Sequence, residues 1–221
     1  MAKQIEQRVE RYYDTHPTEE ELVPESALHS DLIHYLLEVL KWLFHEQVCA
    51  IYSNLGFYQT PDPKEVPLVP DLAIIKGVEH LYVPSWTIGR DGPPPQVVIE
   101  ILSPKTWTND LTTKPRQYAQ MGVQDLFVYD PHPKPITDKA PQRLFGWRQD
   151  PKRGEMIALV PDAQGRLWSG HLDSWLVPDA VYLRLYNRNQ QQRLTGEEAA
   201  QRRAEALAER LRSLGINPDE I

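Results

Sequence analysis

A carboxylate in the middle of an apolar strand is the first residue that could do chemistry. In "PQVVIEILSPKTW" (95–107), Val97, Val98, Ile99, Ile101 and Leu102 form a β-branched and aliphatic run around Glu100. A carboxylate taken out of water is costly unless something pairs with it. Strand alternation puts Val98, Glu100 and Leu102 on one face and Val97, Ile99 and Ile101 on the other. Asp71 is the counterpart, a carboxylate where the apolar run of "VPDLAII" begins. Two acids at strands of one sheet repel if both stay ionised. A divalent cation resolves that conflict: Mg²⁺ takes one or two carboxylates together with waters and a substrate phosphate. Such an ion polarises a phosphoryl oxygen and lowers the pKa of a bound water.

Downstream, Asp110, Lys114 and Tyr118 recur every four residues in "TNDLTTKPRQYAQMGV" and share one face of a predicted helix. If that helix packs back over the strand it follows, Lys114 reaches the two acids. There it would stabilise transition-state charge or orient the attacking water. The plain alternative for Lys114 is a surface ion pair with Asp110. For Glu100 it is a nearby arginine, and for Asp71 a turn at the start of a strand.

Other elements must hold these residues in place. "ESALHSDLIHYLLEVLKWLFHEQ" repeats leucine at helical spacing and predicts an amphipathic helix over 26–46 with Ser26 as N-cap. "VCAIYSN" and "LVPDLAII" read as strands, the second starting near Asp71 because Pro70 precedes it. The helix after the Glu100 strand takes Asn109 or Asp110 as N-cap and stops at Gly122, with Pro115 in its first turn. "DLFVYD" is the next strand. A proline-rich loop, "PHPKPITDKAP", leads to short strands at "RLFGWR", "EMIALV", "RLWSGHL" and "VYLRLY", expected to extend and close the sheet in antiparallel fashion. Thr195 and Glu198 make a capping box for a tail helix ending at Gly215. In that helix Ala200, Ala204, Leu207, Leu211 and Leu214 form a short heptad seam. About two heptads are marginal alone in water, so the seam packs on its own domain or on a second copy.

With 221 residues, 25% charged and 41% hydrophobic, the chain has an ordinary globular composition. No stretch approaches a membrane span. The polar N-terminus lacks the apolar core of a signal peptide. Cys49 is the single cysteine, so no intrachain disulfide or cysteine metal cluster forms, and a cytoplasmic location is expected. A net charge of −7 argues against nonspecific coating of nucleic acid but not against local phosphate contacts. No phosphate-binding glycine loop, dinucleotide fingerprint, H-E-x-x-H or G-x-S-x-G elbow appears. His29, His34 and His45 do not stand at the i, i+4 spacing of a zinc pair.

The acid in "VPDLAII", the block "VVIEILSPKTWTNDLTTKPRQYAQMGVQDLFVYDP" and the flanking helix "PESALHSDLIHYLLEVL" together resemble the Uma-type family of restriction-endonuclease-like proteins, within the PD-(D/E)XK nuclease superfamily. The resemblance covers most of the chain from about residue 24. It implies a mixed α/β core and metal-dependent cleavage of DNA phosphodiester bonds. Asp71 and Glu100 match the metal carboxylates, and Lys114 matches a lysine moved from the strand onto the following helix. The superfamily's usual lysine position is Leu102 here, and Lys105 is a second candidate, expected in the loop. Ser103 could bind a phosphate or water, or simply start the turn with Pro104. Asp110 would support Lys114, with Tyr118 one turn further on. His29 matches a family position but reads as a helix-surface histidine.

The expected architecture is thus α/β (α+β): a restriction-endonuclease-like mixed central sheet flanked by helices, with an antiparallel extension and a C-terminal helix. Residues 1–24 form a polar segment, 25–190 the nuclease-like domain, and 191–221 the amphipathic helix and a possible dimer contact. The expected activity is Mg²⁺- or Mn²⁺-dependent cleavage of DNA by a homodimer, with no membrane and no organic cofactor. The rival reading is a nuclease-like scaffold that binds nucleic acid or a protein without cutting.

Overall fold

The computed structural model describes residues 27–62, 64–132, 134–136 and 141–218. The 1–24 segment and the Ser26 cap lie outside them. Helix α1 spans Ala27–Leu43, close to the predicted span. Strands β1 (Cys49–Tyr52), β3 (Leu72–Lys76) and β5 (Val97–Ile101) follow, with two short strands, β2 (Phe57–Tyr58) and β4 (Trp86–Thr87), pairing in a parallel ribbon of their own. After β5 come α2 (Trp107–Thr112) and α3 (Lys114–Met121), then β6 (Asp125–Tyr129), β7 (Leu144–Gln149) and β8 (Met156–Ala158). Strands β9 (Leu167–Ser169), β10 (Ser174–Asp179) and β11 (Tyr182–Tyr186) precede α4 (Gly196–Ser213).

The main sheet has the order β1-β3-β5-β6-β7-β8. Only β5 and β6 run parallel in it, because the helical α2–α3 connection returns the chain to the same edge, as a parallel pair requires. Both strands are buried throughout, which is why their sequences are apolar on both faces. Val97, Ile99 and Ile101 pack toward Leu32, Leu36 and Leu40 of α1. Val98 and Leu102 pack toward Tyr118 and Met121 of α3. The alternation read from the sequence therefore holds, and it turns Glu100 toward α3.

Two expectations are corrected. The predicted single helix is two helices. Pro115 lacks an N–H and its ring would crowd the carbonyl four residues back, so the helix breaks at Thr113 and restarts at Lys114 with proline in its first turn. The N-cap of α2 is Thr106, not Asn109 or Asp110, so Asp110 sits inside that helix with its carboxylate free for tertiary contacts. The end of α3 is as predicted: Gly122 adopts φ +90°, a left-handed conformation costly for any residue with a Cβ.

The second correction concerns the C-terminal strands. Strands β7 and β8 extend the main sheet, but β9, β10 and β11 form a separate three-stranded antiparallel sheet. Its inner face, Leu167, Leu176, Leu183 and Leu185, covers the α1 side of the core. Strand β10, "SWLVPD", was not read from the sequence; Pro178 inside it disguised the pattern. The approach of this sheet is tight, since a Cβ on Gly146 of β7 would meet Leu167 at 2.7 Å.

Candidate active site

Asp71 and Glu100 converge at one end of the main sheet. Asp71 immediately precedes β3, and Glu100 is the fourth residue of its neighbour β5. The two are side by side: the Asp71 N–H points at Glu100 Oε2 across 3.3 Å, and Asp71 Oδ2 accepts from the Ile101 N–H at 2.6 Å. Asp71 thus ties the start of β3 to the end of β5. Its other oxygen, Oδ1, lies 3.1 Å from His29 Nε2 on α1. The expected surface histidine is instead a half-buried partner of the acid, because the first turn of α1 crosses above the start of β3.

Glu100 is 2% exposed. Its Oε1 accepts from Lys114 Nζ at 3.0 Å and from the Tyr118 hydroxyl at 2.6 Å. Lys114 Nζ also stands 2.9 Å from Asp110 Oδ1, an ion pair too oblique to count as a hydrogen bond. The Asp110–Lys114 pair is buried, unlike the surface pair that i, i+4 spacing alone suggests. A lysine at the first position of a helix opposes the helix dipole. The two carboxylates facing Lys114 offset that cost, and the break at Thr113 aims its chain inward.

A hydroxyl relay supports this arrangement. Thr106 Oγ1 donates to Asp110 Oδ2 at 2.9 Å and lies 2.9 Å from Ser103 Oγ. Ser103 therefore starts the turn after β5, one of its two predicted roles. Thr106 was missed in the sequence, although it continues the four-residue register of Asp110, Lys114 and Tyr118 one step back. Lys105 is exposed in the turn and stands apart from this cluster. Leu102, at the superfamily's usual lysine position, is buried against the α3 face.

Burial dominates the electrostatics. It pushes the Glu100 carboxyl up from 4.5 to about 8, with Asp71 and Asp110 adding to the rise and Lys114 and the Tyr118 hydroxyl opposing it. The Tyr118 hydroxyl is raised well above its usual value, by burial and then by Glu100. In their ionised forms Asp71, Glu100 and Asp110 bring three negative charges against the one ammonium of Lys114, an excess that a cation would offset.

The residues fit a hard oxygen-binding cation. Asp71 and Glu100 supply carboxylate oxygens from adjacent strand ends, and Mg²⁺ needs no more than one or two of these when water and phosphate complete its shell. Among the described residues, no group of three or more His, Cys, Asp or Glu side chains is placed to hold a metal ion, so the two carboxylates would leave most of an ion's shell to water and phosphate.

Residues 4–137 match the Uma2 family, described as "Putative restriction endonuclease". The chain belongs to that family. The match takes in more than half of the chain and includes His29, Asp71, Glu100, Asp110, Lys114 and Tyr118, whereas β7 to β11 and α4 lie beyond it. Among solved structures, the chain is similar to a crystal structure described as "a putative nuclease belonging to DUF820" from Anabaena variabilis ATCC 29413. The similarity has a TM-score of 0.49 and 17% identity, and covers 74% of this chain and 89% of that one. None of the curated proteins compared with the chain matches it. Among the described residues of this Uma2-family chain, no helix is long and apolar enough to cross a membrane.

Proposed function

We propose that the chain is a metal-dependent endonuclease-like hydrolase that cleaves DNA phosphodiester bonds. The observation that carries the reading is the joining of Asp71 and Glu100 at adjacent strand ends, with a buried lysine 3.0 Å from Glu100. Membership of a restriction-endonuclease family supports the substrate class.

Asp71 and Glu100 would hold Mg²⁺ or Mn²⁺, which when bound supplies a polarised phosphoryl oxygen and a more acidic water. The chain's own residues do the remaining work. His29 and the Ile101 N–H fix both oxygens of Asp71, so its carboxylate cannot rotate away. Tyr118 and Lys114 orient Glu100 from the helix side. The Lys114 ammonium is held from its other side by Asp110. There it can stabilise negative charge on a phosphate in the transition state. Asp110 and Thr106 are positioning residues that hold Lys114 in register.

The test is nicking of supercoiled plasmid in Mg²⁺ or Mn²⁺ by the wild type and by Asp71→Asn, Glu100→Gln and Lys114→Met, with metal binding followed by calorimetry. The wild type should cut and bind metal. Asp71→Asn and Glu100→Gln should lose both, and Lys114→Met should lose cutting while still binding metal. Equal cutting by all four proteins would remove the site assignment. A wild type that neither binds metal nor cuts would leave the non-cutting scaffold as the reading. The dense pairing of Lys114 with two carboxylates favours that alternative most.

A further inference from the structure

Helix α4 has no buried residue, although Ala200, Ala204, Leu207 and Leu211 stand along it at 4-3-4 spacing, with Leu214 as its C-cap. Leu207 is 60% exposed, Leu214 61% and Ile216 44%. The helix is well built at its root. Thr195 accepts from the Glu198 N–H, Glu198 accepts from the Thr195 N–H, and the first turn packs against α1. Beyond that root Ala200, Ala204, Leu207 and Leu214 stay exposed among the described residues, and Leu211 is half-buried. A four-to-five-turn helix of this length, about 27 Å, is marginal in water without a partner for its apolar face.

We propose that α4 pairs in antiparallel fashion with α4 of a second copy of this chain. Residue size selects both the occupant and the direction. Small residues, Ala200 and Ala204, lie toward the root, and large ones, Leu207, Leu211 and Leu214, lie toward the tip. A parallel pair would stack alanine on alanine and leucine on leucine, giving a seam too thin at one end and too thick at the other. An antiparallel two-fold pair sets Ala204 opposite the partner's Leu207, and Ala200 opposite the partner's Leu211, at both ends alike. It also places the acidic first turn of each helix, with Glu197, beside the basic last turn of the other, with Arg210 and Arg212. One feature opposes it: Arg203 of one helix flanks the partner's Arg210 on one side of the seam. A pair this short falls at or below the ~1,200 Å² of the smaller specific interfaces, so the dimer is concentration-dependent. It needs nothing from the Asp71–Glu100 centre.

The test uses the full chain. Sedimentation over a hundredfold concentration range should show a monomer–dimer equilibrium. Leu207→Glu with Leu211→Glu should weaken it at least tenfold while leaving the thermal midpoint of the body unchanged. Direction is read by cysteine cross-linking in a Cys49→Ser background. Leu214→Cys alone should not cross-link, since two copies of residue 214 stand about 25 Å apart in the antiparallel pair. Glu197→Cys combined with Leu214→Cys should give a covalent dimer. A monomer at every concentration, or a dimer indifferent to the two glutamates, overturns the pairing. Self-cross-linking of Leu214→Cys overturns the antiparallel register.

Discussion

Replacing Glu100 by glutamine should reverse the sign of its effect on stability between pH 5 and pH 8. The Glu100 carboxyl ionises near its ordinary 4.5 in the unfolded chain but is held protonated to about 8 in the fold. Between those values the folded state binds more protons than the unfolded one. Its stability is therefore greatest below about 4.5 and falls as pH rises toward about 8. Each pH unit inside the window is worth about 1.4 kcal/mol, so the wild type loses roughly 4 kcal/mol from this group between pH 5 and pH 8. Almost no solvent reaches the group, so screening does not reduce that figure. Glutamine has nearly the same shape and keeps one oxygen for Lys114 and Tyr118. Its amide nitrogen would face the Asp71 N–H that now points at Glu100 Oε2, a donor–donor contact costing about 1 kcal/mol. Glu100→Gln should thus be the less stable protein at pH 5 and the more stable one at pH 8. The assay is urea unfolding followed by tryptophan fluorescence, in chelator, at pH 5, 6, 7 and 8. Subtracting the variant from the wild type removes the contribution of other titrating groups. A difference that stays constant across the range would refute the reasoning, because it would mean that Glu100 is already ionised in the folded protein and that its contact with Lys114 is a full ion pair.

Three further outcomes follow from the same geometry. Saturating Mg²⁺ should restore the wild type's stability at pH 7 with release of about one proton, measurable by calorimetry in buffers of different ionisation enthalpy, because cation binding needs the ionised carboxylate; Glu100→Gln should show neither effect. Lys114→Met should destabilise the chain by about 3 kcal/mol in chelator at pH 8, where Asp110 and Glu100 are left buried without their cation, and by less at pH 5, as read from urea midpoints. Gly122→Ala should cost about 1–2 kcal/mol, since φ is +90° and the new Cβ would meet Pro94 at 3.1 Å, and thermal denaturation should show a lower midpoint with unchanged metal binding.

Much of the centre was legible along the chain. A charge inside a doubly apolar strand stands out against its neighbours, and the fourfold spacing of Asp110, Lys114 and Tyr118 survives even though the predicted helix is two helices. The end of α3 at Gly122 could be read from local rules, whereas its start at Lys114 could not, because the sequence predicts one continuous helix capped at Asn109 or Asp110. His29 was the opposite case. Its own helix marks it as a surface residue, and only the crossing of α1 over the start of β3 brings it to Asp71. Thr106 was hidden for a related reason, because a threonine before a helix is ordinarily its cap, whereas here its hydroxyl turns to Asp110.

The sequence by itself determined the types and the local faces: which strands are buried on both sides, which side of β5 carries Glu100, and which residues share one face of the helical connection. These follow from periods of two and of about four, which the backbone imposes locally. Only the tertiary structure decided which partners those faces meet. It bent the helix at Pro115 so that Lys114 lies between two acids, and it split the C-terminal strands into a second sheet over α1. It also left most of the apolar seam of α4 exposed among the described residues. Contacts between residues tens of positions apart depend on how layers stack, and no local period along a single chain encodes that.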